Sequence, residues 1–142
     1  MPYPPEIVDP MREELTRIGF REARTAEETE EALNRPGTTL LAVNSVCGCS
    51  GRSARPAVGL ALNHKTTPDN LFTVFAGQDL EAVAKAREFL TGYPPSSPCL
   101  ALLRDGKLVA MLERKDIEGR PAAEIAADLT RAFDSFCAPQ PS

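Results

Sequence analysis

Tryptophan is missing from this chain of 142 residues, histidine occurs once, and two tyrosines and six phenylalanines make up the rest of the ring content. Basic residues are outnumbered 16 to 20 by acidic ones, for a net charge of −4. A nucleic-acid-binding face needs cations to displace counter-ions and rings to stack bases, so that class is excluded. No apolar run approaches the roughly 20 residues that span a bilayer. The opening Met1-Pro2-Tyr3-Pro4-Pro5-Glu6 has neither a basic start nor an apolar stretch, so no signal peptide is expected. Internal repeats, linkers and low-complexity segments are also lacking. These absences point to a cytoplasmic protein, in a compartment that keeps thiols reduced.

What is present is ordinary globular composition, 42% hydrophobic and 25% charged, at a length suited to one domain. Four cysteines stand at positions 47, 49, 99 and 137. In the cytoplasm a close cysteine pair signals redox chemistry or a metal, not a structural staple. His64 is the only histidine and there is no second cysteine pair, so no closed four-ligand site can be read from spacing.

Patterning along the chain predicts the elements. Asp9-Pro10 reads as a helix start, with Met11, Leu15 and Ile18 at helical spacing and Gly19 as the stop. Thr25 opens a second helix with Glu28 in capping-box register, and its Glu27, Glu28, Glu30 and Glu31 form a solvated face. An apolar strand is expected over 40–46, then the loop Cys47-Gly48-Cys49-Ser50-Gly51 and a helix carrying Ala54, Val58 and Ala61, started or kinked by Pro56. A second strand over 71–76 leads to a helix capped by Gly77-Gln78-Asp79. A third strand over 99–103 turns at Asp105-Gly106, a hairpin signal, into a fourth over 108–112. Residues 114–120 read as a loop, and Pro121 starts a final helix with Ile125, Leu129 and Phe133 on one face. From residue 40 the order is β-α-β-α-β-β-α, with the first two strands parallel and the last two a hairpin. That is the thioredoxin-fold order. The expectation is an α/β protein with a central mixed sheet flanked by helices, a single domain over 1–142 with a helical extension over 1–37 and a core over 38–137.

Cys47-Gly48-Cys49 falls where a buried strand runs into a helix. Unpaired amides and the positive dipole end at a helix start stabilise a thiolate, so a cysteine there is expected below the ordinary thiol range. Arg52 and Arg55, within about a turn, add to this. Gly48 frees the backbone and lets a substrate approach. A disulfide across one intervening residue closes a very small ring, hard to build without strain and therefore easily reduced. The residues leave open which cysteine attacks first, although the helix-start position favours Cys47. Pro98 stands at the entrance to the strand beginning at Cys99, where thioredoxin-like folds place a cis-proline facing the active cysteine, and a cis Ser97–Pro98 bond is expected. Cys99 reads as a buried small hydrophobe. Cys137, four residues after Phe133, is either buried or at a frayed end. Three further readings stay open: a general disulfide isomerase or reductase using the same strained ring, thiolates of Cys47, Cys49 and Cys99 binding zinc or copper(I), and an interaction module whose cysteines are idle.

Several stretches resemble the bacilliredoxin family. They are Val43-Asn44-Ser45-Val46-Cys47-Gly48-Cys49, Ala54-Arg55-Pro56, Thr67-Pro68-Asp69-Asn70, Thr73-Val74-Phe75-Ala76-Gly77-Gln78-Asp79, Pro95-Ser96-Ser97-Pro98 and Ile117-Glu118-Gly119. The resemblance runs from Pro10-Met11-Arg12-Glu13 to Phe133 and Cys137. It implies a thioredoxin-like fold and removal of the low-molecular-weight thiol bacillithiol from S-bacillithiolated proteins. Bacillithiol is then a co-substrate, and no metal or organic cofactor is implied. By the same resemblance Cys47 is the nucleophile, Cys49 the resolving cysteine, and Gly48, Ser97 and Pro98 contact the substrate. Family members also carry a cysteine near the C-terminus, matched by Cys137. Cys99 departs from the expected pattern, where serine is common after the proline, which leaves open an extra thiol partner.

Overall fold

A computed structural model describes residues 3–48 and 50–137. Seven residues of β2 (Thr38–Asn44), all buried, form the centre of a five-stranded sheet. The sheet order is β1-β3-β2-β4-β5, with β1 (Arg21–Glu22), β3 (Asn70–Phe75), β4 (Cys99–Arg104) and β5 (Lys107–Leu112). β2 runs parallel to β3 and antiparallel to β4, and β4 and β5 form the expected hairpin. Its turn places Asp105 at φ 49° and Gly106 at φ 81°, the left-handed pair that joins two twisted strands.

Strand alternation builds two cores. Leu40, Ala42, Leu100 and Leu102 face α1 (Pro5–Thr16), α3 (Arg55–Ala61) and α6 (Ala122–Phe136), where Leu15, Val58, Ile125 and Phe133 are buried. Leu41, Val43, Cys99, Ala101 and Leu103 face the other way, toward α2 (Ala26–Leu33) and α4 (Leu80–Phe89), where Leu33, Ala82 and Ala86 close the layer. The helix–sheet–helix sandwich matches the expected fold class. Among the described residues no helix is long and apolar enough to cross a membrane.

The N-terminal region departs from its expected form in two ways. First, α1 begins at Pro5, not at Asp9-Pro10, and Pro10 lies inside the helix. Pro5 at the first helical position loses no hydrogen bond. Pro10 leaves the Glu6 carbonyl without its helical donor. The earlier start moves the buried stripe to Val8, Arg12 and Leu15, and Ile18 is exposed. Second, the connection between the two expected helices contains β1, which pairs with β3 in parallel, Arg21 opposite Phe72. Two polar residues carry no apolar alternation, so the strand left no trace in the sequence pattern. Arg12 explains how α1 holds its place: its guanidinium donates to Glu22 at 2.8 Å and to both oxygens of Asp79 at 2.9 Å, and lies 5.1 Å from the centre of the Phe75 ring. Burial alone would lower its pKa, but the hydrogen bonds to Asp79 and Glu22 more than offset this and raise it.

The second helix starts as expected, with the Thr25–Glu28 capping box formed in both directions. β2 ends at Asn44, two residues before the expected 46, because the Asn44 side chain turns to bond the chain that follows. Residues 114–120 are not simply a loop. Arg114–Ile117 is a short helix, α5, opened by a capping box between Glu113 and Asp116.

Candidate active site

Cys47 stands three residues beyond the end of β2, at the point where the chain begins to coil. Its amide donates to Ser45 Oγ at 3.2 Å, and its carbonyl accepts from the amides of Ser50 at 3.0 Å and Gly51 at 3.3 Å. A wide π-helical turn, Ser50–Ala54, follows and passes into α3. Pro56 cannot donate to the carbonyl four residues back, and a widened turn is a common way to absorb that missing bond. The side chain of Cys47 is half-buried, and Gly48 is exposed, with open space where a Cβ would stand. Among the described residues, then, no packing contact requires glycine at 48. Cys49 lies outside the described residues.

The turn is held from below by a buried polar network. Arg55 Nη1 donates to Asn44 Oδ1 at 2.8 Å, to the Ser45 carbonyl at 3.0 Å and to Ser50 Oγ at 3.0 Å, while Nε donates to Glu14 at 2.9 Å. Asn44 Oδ1 also accepts from the Ser45 amide and from Ser50 Oγ, both at 2.9 Å, and Asn44 Nδ2 donates to the Met11 carbonyl at 3.1 Å. Arg55 has a clear scaffolding role: it bonds the residues on both sides of Cys47 to one another and to α1. A Cβ on Gly51 would lie 2.9 Å from Arg55 Nη2, so glycine there makes room for the guanidinium.

A pocket of about 350 Å³ opens beside Cys47, lined by Gly48, Arg52, Ser53, Glu118 and Gly119. Its far wall is the turn that follows α5. No local pattern assigns a role to Glu118 or Gly119; the available signal is the run Ile117-Glu118-Gly119 among the stretches that carry the family resemblance. Ser53 Oγ donates to the Arg120 carbonyl at 2.9 Å, and Glu118 pairs with Arg114 at 3.4 Å. Arg52 is exposed and makes no hydrogen bond or ion pair among the described residues.

The Ser97–Pro98 peptide is cis, as expected. Val43 pairs with Cys99 across the sheet, which places Pro98, at the entrance to β4, at the same end of the sheet as the C-terminal end of β2, the end that leads into Cys47. Pro98 is buried and Ser97 partly exposed. The Ser96 carbonyl accepts from Arg87 at 3.2 Å, anchoring this turn to α4.

The remaining cysteines do not join the site. Cys99 is fully buried, and its side chain belongs to the α2/α4 face of the sheet, opposite the face that carries α3. Burial pushes its thiol up to about 11, only partly offset by Arg87. The idea of Cys99 as an extra thiol partner is therefore corrected: it is core. Cys137 caps α6 and is half-buried near Thr38, Asp69 and Arg104, at the opposite end of β2 from Cys47; burial raises its pKa too. His64 Nε2 lies 2.9 Å from Asp134 at the far end of α3, remote from Cys47 in the helix. Among the described residues no three His, Cys, Asp or Glu side chains converge to hold a metal ion.

A family profile described as disulphide isomerase matches residues 3–137. A bacilliredoxin of Geobacillus kaustophilus is 53% identical over 132 residues, covering 93% of this chain and 91% of its own. A bacilliredoxin of Salinibacter ruber is 53% identical over 140 residues, covering 96% and 82%. In three dimensions the thioredoxin of Malassezia sympodialis superposes with a TM-score of 0.58 at 12% identity, over 84% of this chain and 92% of that one. Mitochondrial thioredoxin 3 of Saccharomyces cerevisiae gives 0.56 at 13% identity, over 87% and 99%. With the fold, the cysteine turn and these relatives in agreement, the chain belongs to the bacilliredoxin family, thiol–disulfide oxidoreductases built on the thioredoxin fold.

Proposed function

We propose that this protein strips bacillithiol from proteins that carry it as a mixed disulfide, with Cys47 as nucleophile and Cys49 as resolving cysteine. The observation that carries the reading is the setting of Cys47: a half-buried sulfur at the strand-to-helix turn, beside an open pocket and an unobstructed glycine. The thiolate of Cys47 attacks the bacillithiol sulfur. A new S–S bond forms between them as the bond to the substrate protein breaks, and the substrate leaves as a thiolate that takes up a proton. Two routes then regenerate Cys47. Cys49 displaces bacillithiol and leaves an internal disulfide for a thiol to reduce, or a second bacillithiol attacks the adduct and departs as bacillithiol disulfide. Gly48, Ser97 and Pro98 border the path of the incoming substrate. The reading needs no cofactor beyond bacillithiol as co-substrate, and it locates the protein in the cytoplasm, where such adducts form on reduced thiols.

Intact-mass measurement tests it. A bacillithiolated test protein is incubated with wild type, Cys47→Ser and Cys49→Ser. The expected result is one bacillithiol held on Cys49→Ser and none on Cys47→Ser. If no variant takes up the thiol, the proposal is wrong, and disulfide isomerisation, which the family description favours, becomes the better reading.

A further inference from the structure

We propose that Arg52 is the specificity anchor of the pocket beside Cys47 and that it selects low-molecular-weight thiols carrying a carboxylate. This rests on the reading that Cys47 attacks a mixed disulfide between a protein and a small thiol. When Cys47 forms its new bond to the small thiol's sulfur and the protein sulfur departs with the electron pair of the old one, the rest of the small thiol needs space close to Cys47. The pocket of about 350 Å³ supplies it, within the range of small-molecule sites.

The polar groups of that pocket are unequally committed. Ser53 spends its hydroxyl on the Arg120 carbonyl, and Glu118 is paired with Arg114 at 3.4 Å. Arg52 has no hydrogen-bond or ion-pair partner among the described residues. Among the described residues the pocket therefore presents a guanidinium with no ion-pair partner, on a protein whose net charge is −4, so the positive spot does not follow from the overall composition. A guanidinium binds a carboxylate through two parallel N–H···O bonds, with direction as well as charge. Both arms would be free to do so, because Arg52 is exposed and leaves the scaffolding to Arg55.

The test varies the charge of the small thiol on one single-cysteine protein. Mixed disulfides are made with 3-mercaptopropionate, 2-mercaptoethanol and cysteamine, which place a carboxylate, a hydroxyl or an ammonium at similar reach. The rate of transfer to the full-length protein is measured for each and divided by the rate with dithiothreitol, which cancels intrinsic disulfide reactivity. Wild type is expected to favour the carboxylate adduct over the hydroxyl adduct by fivefold or more. In Arg52→Ala that ratio falls to within twofold of one, and Arg52→Glu favours the cysteamine adduct. Arg52 is exposed, so all variants should fold, and thermal melting checks this. If wild type shows no preference, or if Arg52→Ala slows all three adducts in proportion, Arg52 acts on the Cys47 thiolate and the inference is overturned. If wild type accepts none of the adducts, the underlying reading of Cys47 fails and this inference falls with it.

Discussion

Arg55 reaches back eleven residues to Asn44, its Nη1 donating to Oδ1 at 2.8 Å, and thereby spans the turn that carries Cys47. The guanidinium is buried and bonds four different residues, so removing it strands several acceptors at once. Arg55→Ala is expected to cost about 3 kcal/mol, which is roughly 10 °C in melting temperature for a chain of this size. Thiol transfer should slow on the order of tenfold or more as the turn loosens. Arg55→Lys should recover only part of both, since one ammonium cannot replace a fork that bonds α1 and β2 together. Calorimetry and single-turnover mass spectrometry check this; a variant with unchanged melting and transfer would show that the network does not position Cys47.

The Arg12–Asp79 pair makes a separate prediction about stability. Asp79 stands at the start of α4 but makes no side-chain cap; its carboxylate instead accepts from Arg12 and from the Phe75 amide. Arg12→Ala leaves a carboxylate that is 8% exposed with one donor. The expected cost is about 3–5 kcal/mol. Asp79→Asn, which keeps the shape and part of the bonding, should cost less. Replacing both at once by Arg12→Met and Asp79→Leu should recover most of the loss, because the desolvation cost disappears with the charges. Urea unfolding at constant slope reads each value; a double variant as unstable as Arg12→Ala would contradict the argument.

These two networks also mark the limit of what the sequence reveals. Apolar runs at strand spacing located β2 through β5, because alternation and turn residues such as Asp105 and Gly106 are local signals. The Cys47 turn and Pro98 were legible for the same reason. Arg12 was missed because a charged residue on a helix reads as solvent-facing until its partners, here Asp79 at a separation of 67 residues, are known. β1 is two polar residues and takes its strand character only from β3. Glu118 reaches the pocket through the fold of α5, at long sequence distance from Cys47. In each case the deciding contact is non-local, and no window along the chain contains it.

Cys99 predicts a pH dependence. Burial raises its folded pKa to about 11, from an ordinary thiol value of 9.0. Between those values the unfolded chain has lost a proton that the folded chain keeps, so stability must fall as pH rises. The contribution is fully present below pH 9 and declines through pH 11, by up to about 2–3 kcal/mol. Cys99→Ala removes this titration while leaving a small cavity, which costs on the order of 1 kcal/mol at neutral pH. The gap between wild type and variant should therefore close, then reverse, as urea melts are taken from pH 7 to pH 10.5. A gap constant in pH would mean that Cys99 is not held as a buried thiol. Native alkylation at pH 8 gives the same test another way, with Cys99 expected to react only after unfolding.

Cys137 should take no part in the thiol cycle, despite its half-exposed sulfur. It sits beside Thr38, the first residue of β2, whereas Cys47 follows Asn44, the last. At about 3.3 Å per residue the strand alone separates them by roughly 20 Å. A disulfide needs Cα atoms within about 7 Å, so no internal bridge between Cys47 and Cys137 can form while β2 is intact, and β2 is buried over its whole length. Cys137→Ser is therefore expected to transfer thiol at a rate within twofold of wild type and to leave the adduct on Cys49→Ser unresolved. Peptide mapping of the oxidised protein should find no Cys47–Cys137 linkage within one chain. Finding that linkage at low protein concentration would require β2 to open at its centre, and with it the two cores that the strand holds apart.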